Sequence, residues 1–149
     1  TPEIPLALVV DVGTGSVEMD LANLVLQSLT VDGGTGRMDI RLPENGDSYI
    51  FDLDVSTGGT TIIVPEGASL DINVDGGTGG LVIDIAEDAG VEVEVTDGGV
   101  GSFNLPPGFE KVRQGGDDDE GVWENKAYAS TRTPVRVKLD IGTGSITIR

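Results

Sequence analysis

Apolar residues recur at every second position through most of this chain. The runs Leu6/Leu8/Val10/Val12, Leu29/Val31, Phe51/Leu53/Val55, Leu70/Ile72/Val74, Val91/Val93/Val95 and Val135/Val137/Leu139/Ile141 each lead into a Gly-rich turn. After those turns come Val17/Met19/Leu21, Met38/Ile40/Leu42, Leu81/Ile83/Ile85, Phe103/Leu105 and Ile146/Ile148. The positions between are mostly Asp, Glu, Ser, Thr, Arg or Lys, the pattern of strands with one face buried and one in water. No apolar stripe with a helical period persists over three turns, so the chain is predicted to be all-β with very little helix.

The turns themselves repeat. Val12-Gly13-Thr14-Gly15, Asp32-Gly33-Gly34-Thr35-Gly36, Asp75-Gly76-Gly77-Thr78-Gly79, Asp97-Gly98-Gly99-Val100-Gly101 and Ile141-Gly142-Thr143-Gly144 are variants of one motif, with a looser copy at Ser56-Thr57-Gly58-Gly59. The aspartates that precede them, Asp11, Asp32, Asp75, Asp97 and Asp140, are spaced 21, 43, 22 and 43 residues apart. Because 43 is twice 21.5, two further units are expected near Asp54 and Asp118. Outgoing strands end in Pro/Gly corners at Leu42-Pro43-Glu44-Asn45-Gly46, Val64-Pro65-Glu66-Gly67 and Leu105-Pro106-Pro107-Gly108. Proline fixes φ there and glycine accepts the left-handed turn. Each unit therefore reads as strand, Gly turn, strand, corner.

Two architectures fit this unit. In an antiparallel β-meander or sandwich the Asp-Gly turns would be tight hairpins. In a β-solenoid each unit is one coil, and like strands stack about 4.8 Å apart. A near-constant period of 21–22 residues with one turn recurring in register favours a single β-solenoid domain over residues 1–149, with about six coils and a length of roughly 30 Å. The segment 109–134 breaks the period. It places Gly115-Gly116 before the acidic run Asp117-Asp118-Asp119-Glu120 and holds the only tryptophan, Trp123, with Phe109 and Tyr128. It is expected to be a loop that bulges from the stack or a cap on its end.

The pattern apolar-x-apolar-x-Gly-Thr-Gly-Ser-apolar-x-apolar, clearest in Val135-Arg136-Val137-Lys138-Leu139-Asp140-Ile141-Gly142-Thr143-Gly144-Ser145-Ile146-Thr147-Ile148, resembles the adhesin-like or toast-rack domains of bacterial envelope proteins. It is also similar to the C-terminal domain of LiaF-type antibiotic-response proteins. The resemblance spans the chain as a style of repeat. It implies a single-stranded β-solenoid that forms part of a larger envelope-linked protein, with no catalytic centre to carry over. The acidic insertion at 117–121 and the irregular coil near 50–67 depart from the regular pattern.

Composition narrows the chemistry. The 149 residues include 23 Gly, no Cys and no His, and 26 acidic residues outnumber nine basic ones for a net charge of −17. Disulfides, thiolate metal sites, Cys nucleophiles and His-dependent triads are absent. So negative a surface repels phosphate backbones, which argues against nucleic acid as a partner. No apolar run approaches the roughly 20 residues of a membrane-spanning helix, so direct insertion by this segment is not expected. The start, Thr1-Pro2-Glu3-Ile4-Pro5, has neither an initiator Met nor a charged-then-apolar leader and reads as a processed or excised piece. Charge is unevenly spread, at −18 for residues 1–110 and +1 for residues 111–149.

Four candidate chemistries remain. The Asp column could ligate Ca²⁺ through stacked carboxylates, but the period and the place of Asp before the glycines fit turn chemistry better. Asp117, Asp118, Asp119 and Glu120 are the weak metal candidates, a Gly-flanked carboxylate run without the spaced pattern of an EF-hand. Phosphate cradling would need a helix and a Gly-Lys-Ser/Thr sequence after the glycines, and neither follows. Catalysis by two carboxylates, as in a small carbohydrate-active β-helix enzyme, has few aromatics to stack sugars: Tyr49, Phe51, Phe103, Phe109, Trp123 and Tyr128. Phe51 and Phe103 fall in the apolar phase of their strands. Phe109, Trp123 and Tyr128 are the candidate cap or interface anchors.

The sequence thus points to a non-enzymatic interaction or scaffold domain without a cofactor. It would belong to a bacterial cell-envelope protein, extracytoplasmic and attached to a membrane protein, and serve adhesion or envelope-stress signalling. A protein or cell-surface partner is expected. An uncapped end strand would also allow homo-oligomers.

Overall fold

The computed structural model describes residues 4–44, 47–55 and 57–149. Residues 1–3, the Asn45-Gly46 part of the first corner and Ser56 of the looser turn lie outside them. Five coils follow one another in sequence. They are β1 (Leu6–Asp11) with β2 (Val17–Asp20), β3 (Leu26–Asp32) with β4 (Thr35–Arg41), β5 (Tyr49–Val55) with β6 (Thr57–Val64), β7 (Leu70–Gly76) with β8 (Gly80–Ile85), and β9 (Val91–Asp97) with β10 (Ser102–Asn104). Then come β11 (Phe109–Gln114), β12 (Gly121–Asn125), a 3₁₀ turn at Lys126–Ser130, and a sixth coil of β13 (Val135–Asp140) and β14 (Ser145–Ile148). No α-helix occurs among the described residues.

The first strand of every coil joins one sheet and the second strand the other. The eight-stranded sheet runs β1-β3-β5-β7-β13-β9-β12-β11 and the six-stranded sheet β10-β14-β8-β6-β4-β2. All pairings between coils are parallel, and only β9–β12 and β11–β12 are antiparallel. This is an open β-solenoid with six coils. The strand register stacks like on like, so Leu8, Leu29, Phe51, Ile72, Val137 and Val93 form one interior row. From Leu29 onward every member of that row is at most 1% exposed. Burying such a side chain stabilises by about 1.5–3 kcal/mol over leaving it in water. Tyr49, one register position along, is also buried, and its hydroxyl donates to the Pro43 carbonyl at 2.8 Å.

Spatial order departs from sequence order at one place. The last coil does not end the stack but slots between the fourth and fifth, with β13 paired to β7 and β9, and β14 to β8 and β10. The charges on the outward face give a reason. Were β7 and β9 neighbours, Asp71 would meet Glu92 across the ladder, and like charges directly opposite destabilise a sheet. Instead Arg136 of β13 sits between Asp71 and Glu92, and Lys138 between Asn73 and Glu94. Arg136 lies 3.6 Å from the Asp71 carboxylate. Asn125 pins the return path, accepting from the Val91 and Tyr128 backbone N–H groups at 3.0 and 3.1 Å and donating to the Ala89 carbonyl at 2.8 Å.

The unit expected near Asp54 is the β5–β6 coil. The unit expected near Asp118 is not a coil. The second 43-residue interval holds β10, the β11–β12 hairpin and the 3₁₀ turn, and Asp118 lies on the hairpin loop. The segment 109–134 is therefore mostly regular structure. Its hairpin extends the eight-stranded sheet beyond the last strand of the other sheet and covers that end of the core. The opposite end is open: Leu6 of β1 is 44% exposed, and Leu8, Val10, Val17 and Met19 are only partly buried.

Candidate functional site

Stacking brings together residues far apart in sequence. On the outward face of the eight-stranded sheet, Asp11, Asp32, Asp54, Asp75, Asp140 and Asp97 stand at matched register on six successive strands. The strand spacing sets them about 4.8 Å apart along the stack. Four of them, Asp32, Asp54, Asp75 and Asp140, line an open groove of about 630 Å³ with Thr30, Asp52, Asn73, Thr96 and Lys138. Asn73 donates to Asp52 at 2.8 Å, linking two strands across that face.

This crowding perturbs the carboxylates. The Asp54 carboxyl titrates above its ordinary range, first through desolvation and then through the like charges of Asp32 and Asp75. Asp140 is raised in the same way, by desolvation and then by Asp97 and Asp75. Turn chemistry holds at Asp97, whose Oδ1 accepts from the Gly99 N–H at 2.9 Å. The column is thus a ladder of mutually repelling charges that attracts cations over its whole length.

The glycines of the turns serve packing. A Cβ built at Gly36 would overlap the carbonyl oxygen of Gly15, and the same relation links Gly58 to Gly36, Gly79 to Gly58, Gly144 to Gly79 and Gly101 to Gly144. Each coil's carbonyl fills the space where the next coil lacks a side chain. That close approach of backbones leaves the turn no room to cradle a phosphate on that side.

The acidic loop closes on itself. The Glu120 carboxylate accepts from the backbone N–H groups of Gly116 and Asp117 at 2.9 and 3.2 Å, and the Glu120 N–H donates to the Asp117 carbonyl at 3.1 Å. Lys111 Nζ and Gln114 Nε2 brace the loop by donating to the Asp118 and Asp117 backbone carbonyls, each at 2.9 Å. Among the described residues, no three acidic side chains converge as ligands of one ion. Of the aromatic candidates, Phe109 and Trp123 pack against the core at the capped end. Trp123 meets Phe103 edge-on, centroids 5.5 Å apart at 61°, and carries the Lys111 ammonium 4.9 Å above its ring. Tyr128 lies apart on the 3₁₀ turn, where its hydroxyl accepts from Arg136 Nε at 3.0 Å. Tyr49 and Phe51 are buried and cannot stack on a sugar.

Sequence spacing shows five members of the Asp ladder and interpolation adds Asp54. The neighbours of Asp140 were not legible, because they depend on where β13 inserts. Lys111 and Phe103 carried no motif. The alternation gave Phe103 only as an apolar-phase strand residue, and its contact with Trp123 depends on where the hairpin folds back.

Residues 1–64 match the family described as the N-terminal domain of toast_rack, DUF2154. That match covers the first three coils of the stack. The matched part ends with β6, so coils four to six continue the same stack beyond it. A solved crystal structure of a "putative cell adhesion protein" from Clostridium sporogenes ATCC 15579 shares the fold of this chain. The TM-score is 0.70 and the identity 14%, over 95% of this chain and 90% of that one. No curated protein matches the chain. No helix among the described residues is long and apolar enough to cross a membrane.

Proposed function

We propose that this chain is a toast-rack domain and a non-enzymatic interaction or scaffold module of a bacterial cell-envelope protein, serving adhesion or envelope-stress signalling through its exposed strands. The observation that carries the reading is the repeated outward face. Six coils present the same aspartate at the same position, which makes an extended charged surface along a rod rather than one enclosed pocket. Stacked backbone hydrogen bonds in two sheets keep that surface stiff. The match to the toast-rack family and the fold shared with a protein described as acting in cell adhesion support the placement.

Fractionation of the host bacterium, with the gene product tagged and intact cells treated with protease, tests the reading. Recovery with the envelope, with the domain accessible from outside the cytoplasmic membrane, is expected. Recovery as a soluble cytoplasmic protein would overturn it.

A further inference from the structure

The two sheets end unevenly at the capped end. The eight-stranded sheet continues past β9 with β12 and β11, whereas the six-stranded sheet stops at β10. The hairpin therefore overhangs the free edge of β10. Beneath it lies a cleft of about 420 Å³, walled by Phe103 and Leu105 on one side, Trp123 on the other, and Asp118 and Asp119 at its mouth.

The free edge supplies backbone groups. The Val100 and Ser102 N–H groups donate to Gly142 and Gly144 of the neighbouring coil at 3.3 and 3.2 Å. Along a strand these directions alternate, so the N–H and C=O of Gly101 and Phe103 point out of the ladder into the cleft. An edge of this kind is a template for one more strand. The carboxylates of Asp118 and Asp119 have no hydrogen-bond or ion-pair partner among the described residues, whereas Glu120 is held within its own loop. Gly98 packs against Asp119, which fixes this charge at the Gly-turn end of β10.

Resting on the interaction-module reading above, we infer that the β10 edge receives an extended, lysine- or arginine-bearing segment of a partner protein as a seventh strand of the smaller sheet. Its apolar side chains would pack beneath Trp123 and its cation would meet Asp118 and Asp119. Charge selects this occupant over a second copy of the chain. The chain's own free strand of that sheet, β2, carries Glu18 and Asp20, and would bring carboxylates to carboxylates.

The test uses the whole ¹⁵N-labelled 149-residue chain and a capped seven-residue peptide of alternating lysine and valine. Expected amide shifts fall on residues 101–105 and on the Trp123 indole. The double variant Asp118→Asn/Asp119→Asn, checked by melting to be folded, should bind about threefold to tenfold more weakly, the size of two exposed ion pairs. A peptide N-methylated on alternate residues keeps its charge but loses its backbone donors, and should lose the shifts at 101–105. Shifts confined to the Asp ladder, equal binding of the N-methylated peptide, absence of binding, or concentration-dependent self-association through β10 would each overturn the inference. All four leave the envelope reading to be decided by fractionation.

Discussion

Replacing single turn glycines by alanine should separate two costs that the coil imposes. Gly58 has φ +126° and a Cβ there would overlap the Gly36 carbonyl and lie 2.8 Å from its carbon, so it meets both a backbone strain and a steric block. Gly79 meets the block alone, against the backbone of Gly58. Gly15, on the end coil, has φ +114° and open space, so it meets the strain alone. Gly59 meets neither. Strain at positive φ costs about 1–3 kcal/mol, and overpacking against atoms that cannot rotate away costs about 1–3 kcal/mol. The expected losses are thus about 1–3 kcal/mol for Gly15→Ala and for Gly79→Ala, and about 3–5 kcal/mol for Gly58→Ala. Gly59→Ala should be neutral or stabilising by up to about 1 kcal/mol, because alanine restricts the unfolded chain. In urea, with a slope of about 2 kcal/mol per molar, the Gly58→Ala midpoint should drop by about 1.5–2.5 M. A Gly79→Ala midpoint equal to wild type would refute the claim that coil-to-coil carbonyl contact is what demands glycine in these turns.

Three further outcomes follow from the same geometry. Asp54 has a raised pKa in the folded chain, so it binds its proton more tightly folded than unfolded; its penalty is present at neutral pH and is relieved as pH falls through the raised value toward about 4. Asp54→Asn should therefore raise the melting temperature at pH 7 and reduce its gain on acidification, and a lowered melting temperature with an unchanged pH slope would contradict this. Arg136→Glu/Lys138→Glu should destabilise by about 1–3 kcal/mol, from exposed pairs worth 0.2–1 kcal/mol each turned into repulsions. An unfolding midpoint that moves by less than about 0.5 kcal/mol would remove charge as the reason for the intercalated strand. Ending the chain before Val135 should leave β3, β5 and β7 protected in hydrogen exchange while β9 and the hairpin lose protection, because β9 then has no β13 to pair with. Persistent protection of β9 would show that it can dock directly on β7.

The coils were legible from the sequence because each is a local event. Period-2 runs such as Leu70/Ile72/Val74, the Gly turn after Asp75 and the Pro65 corner mark where one coil bends, with no knowledge of its neighbours. Stacking identical units then predicts the Asp column, and the structure adds Asp54 at its interpolated place. The period fails at Asp118, because a doubled spacing fits two coils or one coil and a hairpin equally well, and a hairpin uses the same residue count with the opposite strand direction.

What the sequence determined by itself is the coil: all-β, 21–22 residues, apolar within, acidic without, cornered by glycine. What only tertiary structure decided is the order of coils and hence which side chains meet. Parallel strands of equal length and like interior rows would pair in several orders, so hydrophobic burial alone barely distinguishes them. The choice falls to weaker, non-local terms: Arg136 and Lys138 between two acidic strands, and Asn125 tying the return chain to Val91 and Ala89. The Asp75-Asp140-Asp97 sequence of the ladder follows from that choice. The same long-range arrangement ends the smaller sheet at β10 and hangs Trp123 over its edge.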